Sequence, residues 1–93
     1  MKAIWNGKVI AQSDKTIIVE SNHYFPRNSI VDEYFTGSIK TTHCPWKGDS
    51  SYFNIKVDGS SNLNGAWSYL EPKETAKEIA DMVAFWNGVE VIE

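Results

Sequence analysis

The sequence contains one cysteine, two histidines and one arginine. A single thiol excludes an intrachain disulfide framework. With two imidazoles it also falls short of the four ligands of a zinc finger. A mixed site of His23, His43, Cys44 and a carboxylate is left, but none of the usual paired ligand spacings is present. Neither a metal nor a cofactor is therefore expected. The six glycines never occur as Gly-x-Gly, so there is no glycine-rich phosphate loop. The longest apolar run, Met82–Trp86, is far shorter than the roughly 20 residues of a membrane span. The opening MKAIWNGK lacks the long apolar stretch of a signal peptide, so the expected setting is cytoplasmic, away from membranes. Basic side chains are also scarce: 9 against 12 acidic ones, a net charge of -3. That balance argues against a nonspecific nucleic-acid partner, which needs a basic stripe. A pocket for one nucleotide would still need only a lysine and an arginine.

What is present suits one small domain spanning residues 1–93, with hydrophobic residues at 42% and enough aromatics to fill a modest core. Asn-Gly or Asp-Gly pairs stand at 6–7, 58–59, 64–65 and 87–88, and favour the left-handed dihedrals of tight hairpins. The first predicts a hairpin with Ile4 facing Val9 and Trp5 facing Lys8. The last predicts a hairpin of Met82–Trp86 with Val89–Ile92, placing Trp86 opposite Val89 and Phe85 opposite Glu90. Between these ends, Thr16–Glu20 and His23–Phe25 read as strands, the second stopped by Pro26. Asn28–Phe35 reads as a turn followed by a strand at Val31–Tyr34, and Ser38–Thr42 as an edge strand. His43–Asp49 reads as loop because it holds Pro45 and Gly48. Phe53, Ile55 and Val57 alternate onto one strand face. Ser60–Gly65 reads as a wide turn before a strand at Ala66–Leu70. One short helix is expected over about 72–81, opened by Pro72 and carrying an apolar stripe of Ala76, Ile79 and Ala80. The fold class is mainly β (α+β): an antiparallel domain with hairpins at both ends and one late helix.

Chemistry concentrates in Thr41–Asp49, where an imidazole, a thiol, an ammonium, a carboxylate and an indole fall within nine residues. Cys44 and His43 are candidates for nucleophilic catalysis, which needs a base within reach of the thiol. In an extended segment, however, neighbours point to opposite faces. A buried, inert Cys44 is the simpler expectation. Arg27 and Lys47 are the candidate anion contacts, Arg27 because its guanidinium fork follows the stiff Tyr24-Phe25-Pro26 run. Trp46, Tyr52, Trp67 and Tyr69 either line a cleft or fill the core, and Trp67 and Tyr69 share a strand face. Trp5 and Trp86 are expected in the core. Glu71 is placed to pair with Lys47 or Arg27, either as a structural anchor or in a polar pocket.

These residues together resemble a known family. The matches run in order along nearly the whole chain: Trp5-Asn6-Gly7, Glu20, Tyr24-Phe25-Pro26-Arg27, Thr42-His43-Cys44-Pro45-Trp46-Lys47-Gly48, Ser51-Tyr52, Ala66-Trp67-Ser68-Tyr69 and Glu71-Pro72. The sequence is similar to the small bacterial family of domains of unknown function numbered 427, sometimes labelled nucleotidyltransferase-like. The resemblance implies a β-tent, with antiparallel sheets meeting at an angle around a cleft. Two positions depart from the family pattern: Asn28 and Ser29 stand where an acidic residue is usual, and Trp46 where tyrosine also occurs. Nucleotidyl transfer calls for paired carboxylates around magnesium, and the resembling segment has no close carboxylate pair. Three functions follow as expectations. The first is a binding module that takes a small planar or anionic molecule in a cleft of Arg27, His43, Trp46, Lys47, Tyr52, Trp67, Tyr69 and Glu71. The second is an enzyme using Cys44 or His43, with Lys47 or Arg27 stabilising negative charge. The third is a structural staple between Lys47 and Glu71. A monomer or homodimer is expected.

Overall fold

The computed structural model describes all residues from Met1 to Glu93. Nine strands form three antiparallel sheets: β1 (Lys2–Trp5), β2 (Lys8–Gln12), β3 (Ile17–Val19), β4 (Asn22–Tyr24), β5 (Phe35–Cys44), β6 (Gly48–Val57), β7 (Ser60–Ser68), β8 (Val83–Phe85) and β9 (Glu90–Ile92). Their spatial orders are β2-β1-β9, β3-β4 and β5-β6-β7-β8. The fold is thus mainly antiparallel β, and no helix is long and apolar enough to cross a membrane.

Two-residue turns with both central φ values positive close three hairpins. Asn6-Gly7 (50° and 78°) and Asp58-Gly59 (51° and 82°) are the turns the sequence announces, and Ile4 pairs with Val9 and Trp5 with Lys8 as expected. The third, Glu20-Ser21 (52° and 68°), joins β3 to β4 without a glycine. Asn87-Gly88 also turns the chain, but it does not make the expected terminal hairpin. β8 pairs with β7, and β9 pairs with β1. Each strand completes the open edge of a different sheet, so this turn carries the chain between sheets. Trp86 consequently leaves the core; its indole donates to the Asn64 carbonyl at 2.6 Å and its side chain is exposed.

Other expectations are corrected locally. The expected loop at 43–49 shrinks to Pro45-Trp46-Lys47, because Cys44 pairs with Gly48 and His43 with Asp49. Gly48 makes this possible with φ at 108°. The Ser60–Gly65 turn is instead the first part of β7, since Asp58-Gly59 already reverses the chain. Val31–Tyr34 is not a strand: a first 3-10 turn, Arg27–Ser29, is followed by a second, Asp32–Tyr34, in place of the expected strand. The Ser29 hydroxyl donates to the Pro26 carbonyl at 2.6 Å and favours the first of these turns. The expected helix over 72–81 is a 3-10 segment, Glu74–Ile79, kinked at Ala76. Only Ala76 and Ile79 of that segment are buried, too little packing to offset helix nucleation.

The four-stranded sheet separates two cores. Ile55, Val57, Ala66, Val83 and Phe85 pack with Ala3, Ile10, Ala11, Phe25 and Ile30 in the larger one. The smaller holds Tyr24, Tyr69, Ala76, Ile79, Met82 and Ala84, flanked by Cys44 and Trp67. Tyr24 and Phe25 are consecutive yet enter different cores, as period-two geometry requires. Phe25 also exchanges both backbone hydrogen bonds with Val83, tying the β3–β4 hairpin to β8.

Gly65 tests the larger core. An added Cβ would lie 2.8 Å from the Asn62 side chain and 2.9 Å from the Ile55 Cδ1. Asn62 cannot give way cheaply, since it exchanges hydrogen bonds with Asn87 at 2.9 Å. Gly65→Ala is expected to cost about 1–3 kcal/mol. A thermal melt should show this as a drop of several degrees. Gly37→Ala, with no atom near the new methyl group, should stay within about 0.5 kcal/mol of wild type.

Candidate functional site

Three carbonyls fix the Pro45-Trp46-Lys47 turn. The Lys73 ammonium donates to Pro45 at 2.6 Å, the Thr75 hydroxyl to Trp46 at 2.7 Å, and the Lys73 backbone N–H to Lys47 at 2.9 Å. So latched, the turn sends Lys47 inward, and the residue is only 7% exposed. Its Nζ lies 5.3 Å from the Trp46 ring centroid and 5.5 Å from that of Tyr69. Its one acceptor in the protein is the carboxylate of Glu20, at the β3–β4 turn. A buried ammonium without such a partner would be strongly disfavoured.

Beside Lys47 opens a cleft of about 380 Å³ lined by Asn22, Lys47, Tyr52, Trp67, Tyr69 and Trp86. Trp67 and Tyr52 are cross-strand partners with ring centroids 6.3 Å apart. The Trp67 indole donates to the Tyr24 hydroxyl at 3.2 Å, and the two rings meet edge-on. This bond holds the central indole in place from the buried side.

The site perturbs four ionisable groups. The hydrogen bond from Lys47, aided by its charge, holds the Glu20 carboxyl below its ordinary value. Burial works to lower Lys47, but the Glu20 hydrogen bond and nearby negative charge outweigh it and raise its value. Burial pushes the Tyr24 and Tyr69 hydroxyls up, against the opposing effects of the Trp67 hydrogen bond on Tyr24 and the Lys47 charge on both. At neutral pH Lys47 and Glu20 therefore form a charged pair, and the Tyr24 and Tyr69 hydroxyls beside them are neutral.

Of the residues singled out from the sequence, Lys47, Tyr52, Trp67 and Tyr69 come together in the cleft, with exposed Trp46 stacked near the Lys47 ammonium. The others stand apart. Arg27 binds Asp81 at 2.9 Å and lies 4.9 Å from the Phe53 ring centroid, in a separate open depression. Glu71 is exposed and makes no ion pair; the expected Lys47–Glu71 contact is replaced by Lys47–Glu20 because the β3–β4 turn reaches the ammonium. His43 is exposed and bonds Asp49 at 2.7 Å, whereas Cys44 packs against the smaller core from the opposite strand face. His23 is engaged with Thr16 at 2.8 Å. No cysteine–histidine hydrogen bond forms. Nor do three His, Cys, Asp or Glu side chains gather in any one place as a metal site.

Sequence reasoning missed Glu20, Asn22 and Trp86 as site residues. The polar Glu20-Ser21-Asn22 break between two β-forming runs was the available signal for the first two. For Trp86 no local signal exists, since its position depends on β8 and β9 joining different sheets.

The fold and cleft define a small antiparallel β domain whose main opening is lined by aromatic rings beside a buried lysine paired with an exposed glutamate. The chain belongs to the family described as a domain of unknown function (DUF427), whose model matches residues 1–93. A search of curated proteins found no match to it.

The ionisation shifts predict a stability profile with two limbs. The Glu20 carboxyl lies below its ordinary 4.5 in the folded state, so its contribution is complete above that value and lost as pH falls through the lowered one. Lys47 is raised above 10.5, so its contribution is complete below 10.5 and lost as pH rises through the raised value. Tyr24 and Tyr69, raised above 10.0, add loss on the same alkaline side. Thermal melts across pH should show a plateau falling at both ends. Glu20→Gln should flatten the acid limb, and Tyr69→Phe should shrink the alkaline one.

Proposed function

We propose that this protein is a binding module for a small planar molecule, held in the cleft by stacking on Trp67 and by a hydrogen bond to Lys47. The observation that carries this reading is the combination of four aromatic rings with one buried ammonium around a single opening of about 380 Å³. Apolar walls with a few convergent polar groups are the usual form of a small-molecule site. Stacking on an aromatic side chain is worth about 1–3 kcal/mol. The ammonium fixes the orientation of whatever stacks there. The fixed tilt of Trp67, set by its bond to Tyr24, reduces the ordering cost of binding.

The enzyme reading receives no comparable support, because Cys44 and both imidazoles face different surroundings. Alkylation of Cys44 should accordingly be markedly slower in native protein than in urea. A native reaction as fast as the unfolded one would favour catalysis at the thiol.

A fragment screen of planar heteroaromatics, followed through the indole N–H resonances, tests the binding reading. Trp67→Ala is expected to weaken any hit by about 5- to 150-fold, the stacking energy expressed as affinity. Lys47→Met should also weaken it while preserving a cooperative melt, since a methionine of similar length can occupy the space between Trp46 and Tyr69. If Lys47→Met unfolds the protein, Lys47 is a structural staple instead.

A further inference from the structure

The Lys47–Glu20 pair bears on which planar molecules the cleft accepts. Lys47 has three N–H donors, and only one is taken by the protein, by Glu20. Lys47 is buried and lines the cleft, so an incoming group that reaches its ammonium can take a second donor without disturbing the pair. Its charge, however, is already balanced by the carboxylate beside it.

A ligand carbonyl and a ligand carboxylate would thus meet different environments. The carbonyl gains a charge-assisted hydrogen bond and leaves Glu20 in place. A carboxylate gains the same bond but must be desolvated within a few ångströms of a second carboxylate, where like charges repel. The phenols at the site, Tyr24 and Tyr69, are neutral and offer no compensating charge. Two other cations lie nearby: Lys73, whose ammonium is engaged by the Pro45 carbonyl at 2.6 Å, and Lys40, 5.4 Å from the Tyr52 ring centroid. Both are exposed, so water and salt weaken their pull.

From this geometry we infer that Glu20 is a specificity-determining residue: by neutralising Lys47 it selects uncharged planar molecules bearing a carboxamide-type acceptor over their carboxylate counterparts. The inference rests on the binding-cleft reading and adds to it the charge of the ligand class. Glu20 acts here by repulsion as well as by positioning, a common way of making a site selective. It lies at the tip of the β3–β4 turn, 53% exposed at its side chain. A substitution there alters the charge at the site without opening a cavity in either core.

The test is a matched pair of probes, 2-naphthamide and 2-naphthoate, titrated at pH 7 into wild type and Glu20→Gln and followed by the indole N–H resonances. Wild type is expected to bind the amide at least about 10-fold more tightly than the carboxylate, a difference of about 1.4 kcal/mol. Glu20→Gln should reverse that order, because Lys47 then lacks a counter-charge. The wild-type comparison stands alone if the variant folds poorly. Equal or tighter binding of the carboxylate to wild type would overturn the inference while leaving the cleft as a binding site. An unchanged preference in folded Glu20→Gln would do the same. If neither probe binds either protein saturably, the cleft reading itself fails, and the inference with it.

Discussion

One latched turn, which buries a lysine, organises the second face of this small protein. Lys47 lies inside the molecule because three consecutive carbonyls of its turn are held by Lys73 and Thr75, leaving the turn little freedom to swing outward. Once inside, the charge requires a counter-charge, and Glu20 provides it from across a separate hairpin. The segment after β7, the β5–β6 turn and the β3–β4 hairpin meet at these contacts. The cleft is the space those three elements leave beside the rings of the main sheet.

The main sheet makes this possible by being covered on both faces. One face is packed by the N-terminal sheet and the first 3-10 turns, the other by Tyr24, Met82 and the kinked 3-10 segment. Aromatic residues of the second face are only partly covered, so Trp67 and Tyr52 are rigid on one side and accessible on the other. In the binding reading proposed above, such rings form a wall at low ordering cost. The same rings on a mobile loop would lose much of that advantage.

The sequence was legible where the signal was local. Asn6-Gly7 and Asp58-Gly59 determine their hairpins through the left-handed preference of their residues, and alternation identified Phe53, Ile55 and Val57 as one face. The family and the mainly antiparallel β class were also readable from the ordered motifs. Long-range competition was not. Asn87-Gly88 has the same local preference as Asn6-Gly7, but two unfilled sheet edges claim its flanking strands separately. The Lys47 partner could not be read from spacing either: Glu71 is nearer in sequence, while Glu20 arrives through a turn without glycine. The Pro72–Asp81 stretch has helical periodicity, yet Lys73 and Thr75 serve the neighbouring turn, and only Ala76 and Ile79 find a core.

The pairing of β1 with β9 has a consequence for how the chain reaches this state. Lys2 lies opposite Ile92, so the edge of the N-terminal sheet is closed by residues from the far end of the sequence. Until that pairing forms, β1 presents an open row of hydrogen-bonding groups beside Ala3, a residue wholly buried in the finished core. Closure over such a separation carries a large entropic cost before any contact offsets it. The nascent hairpin of β1 and β2 must therefore wait with one sticky edge, and folding can be completed only after residues 90–92 have been made.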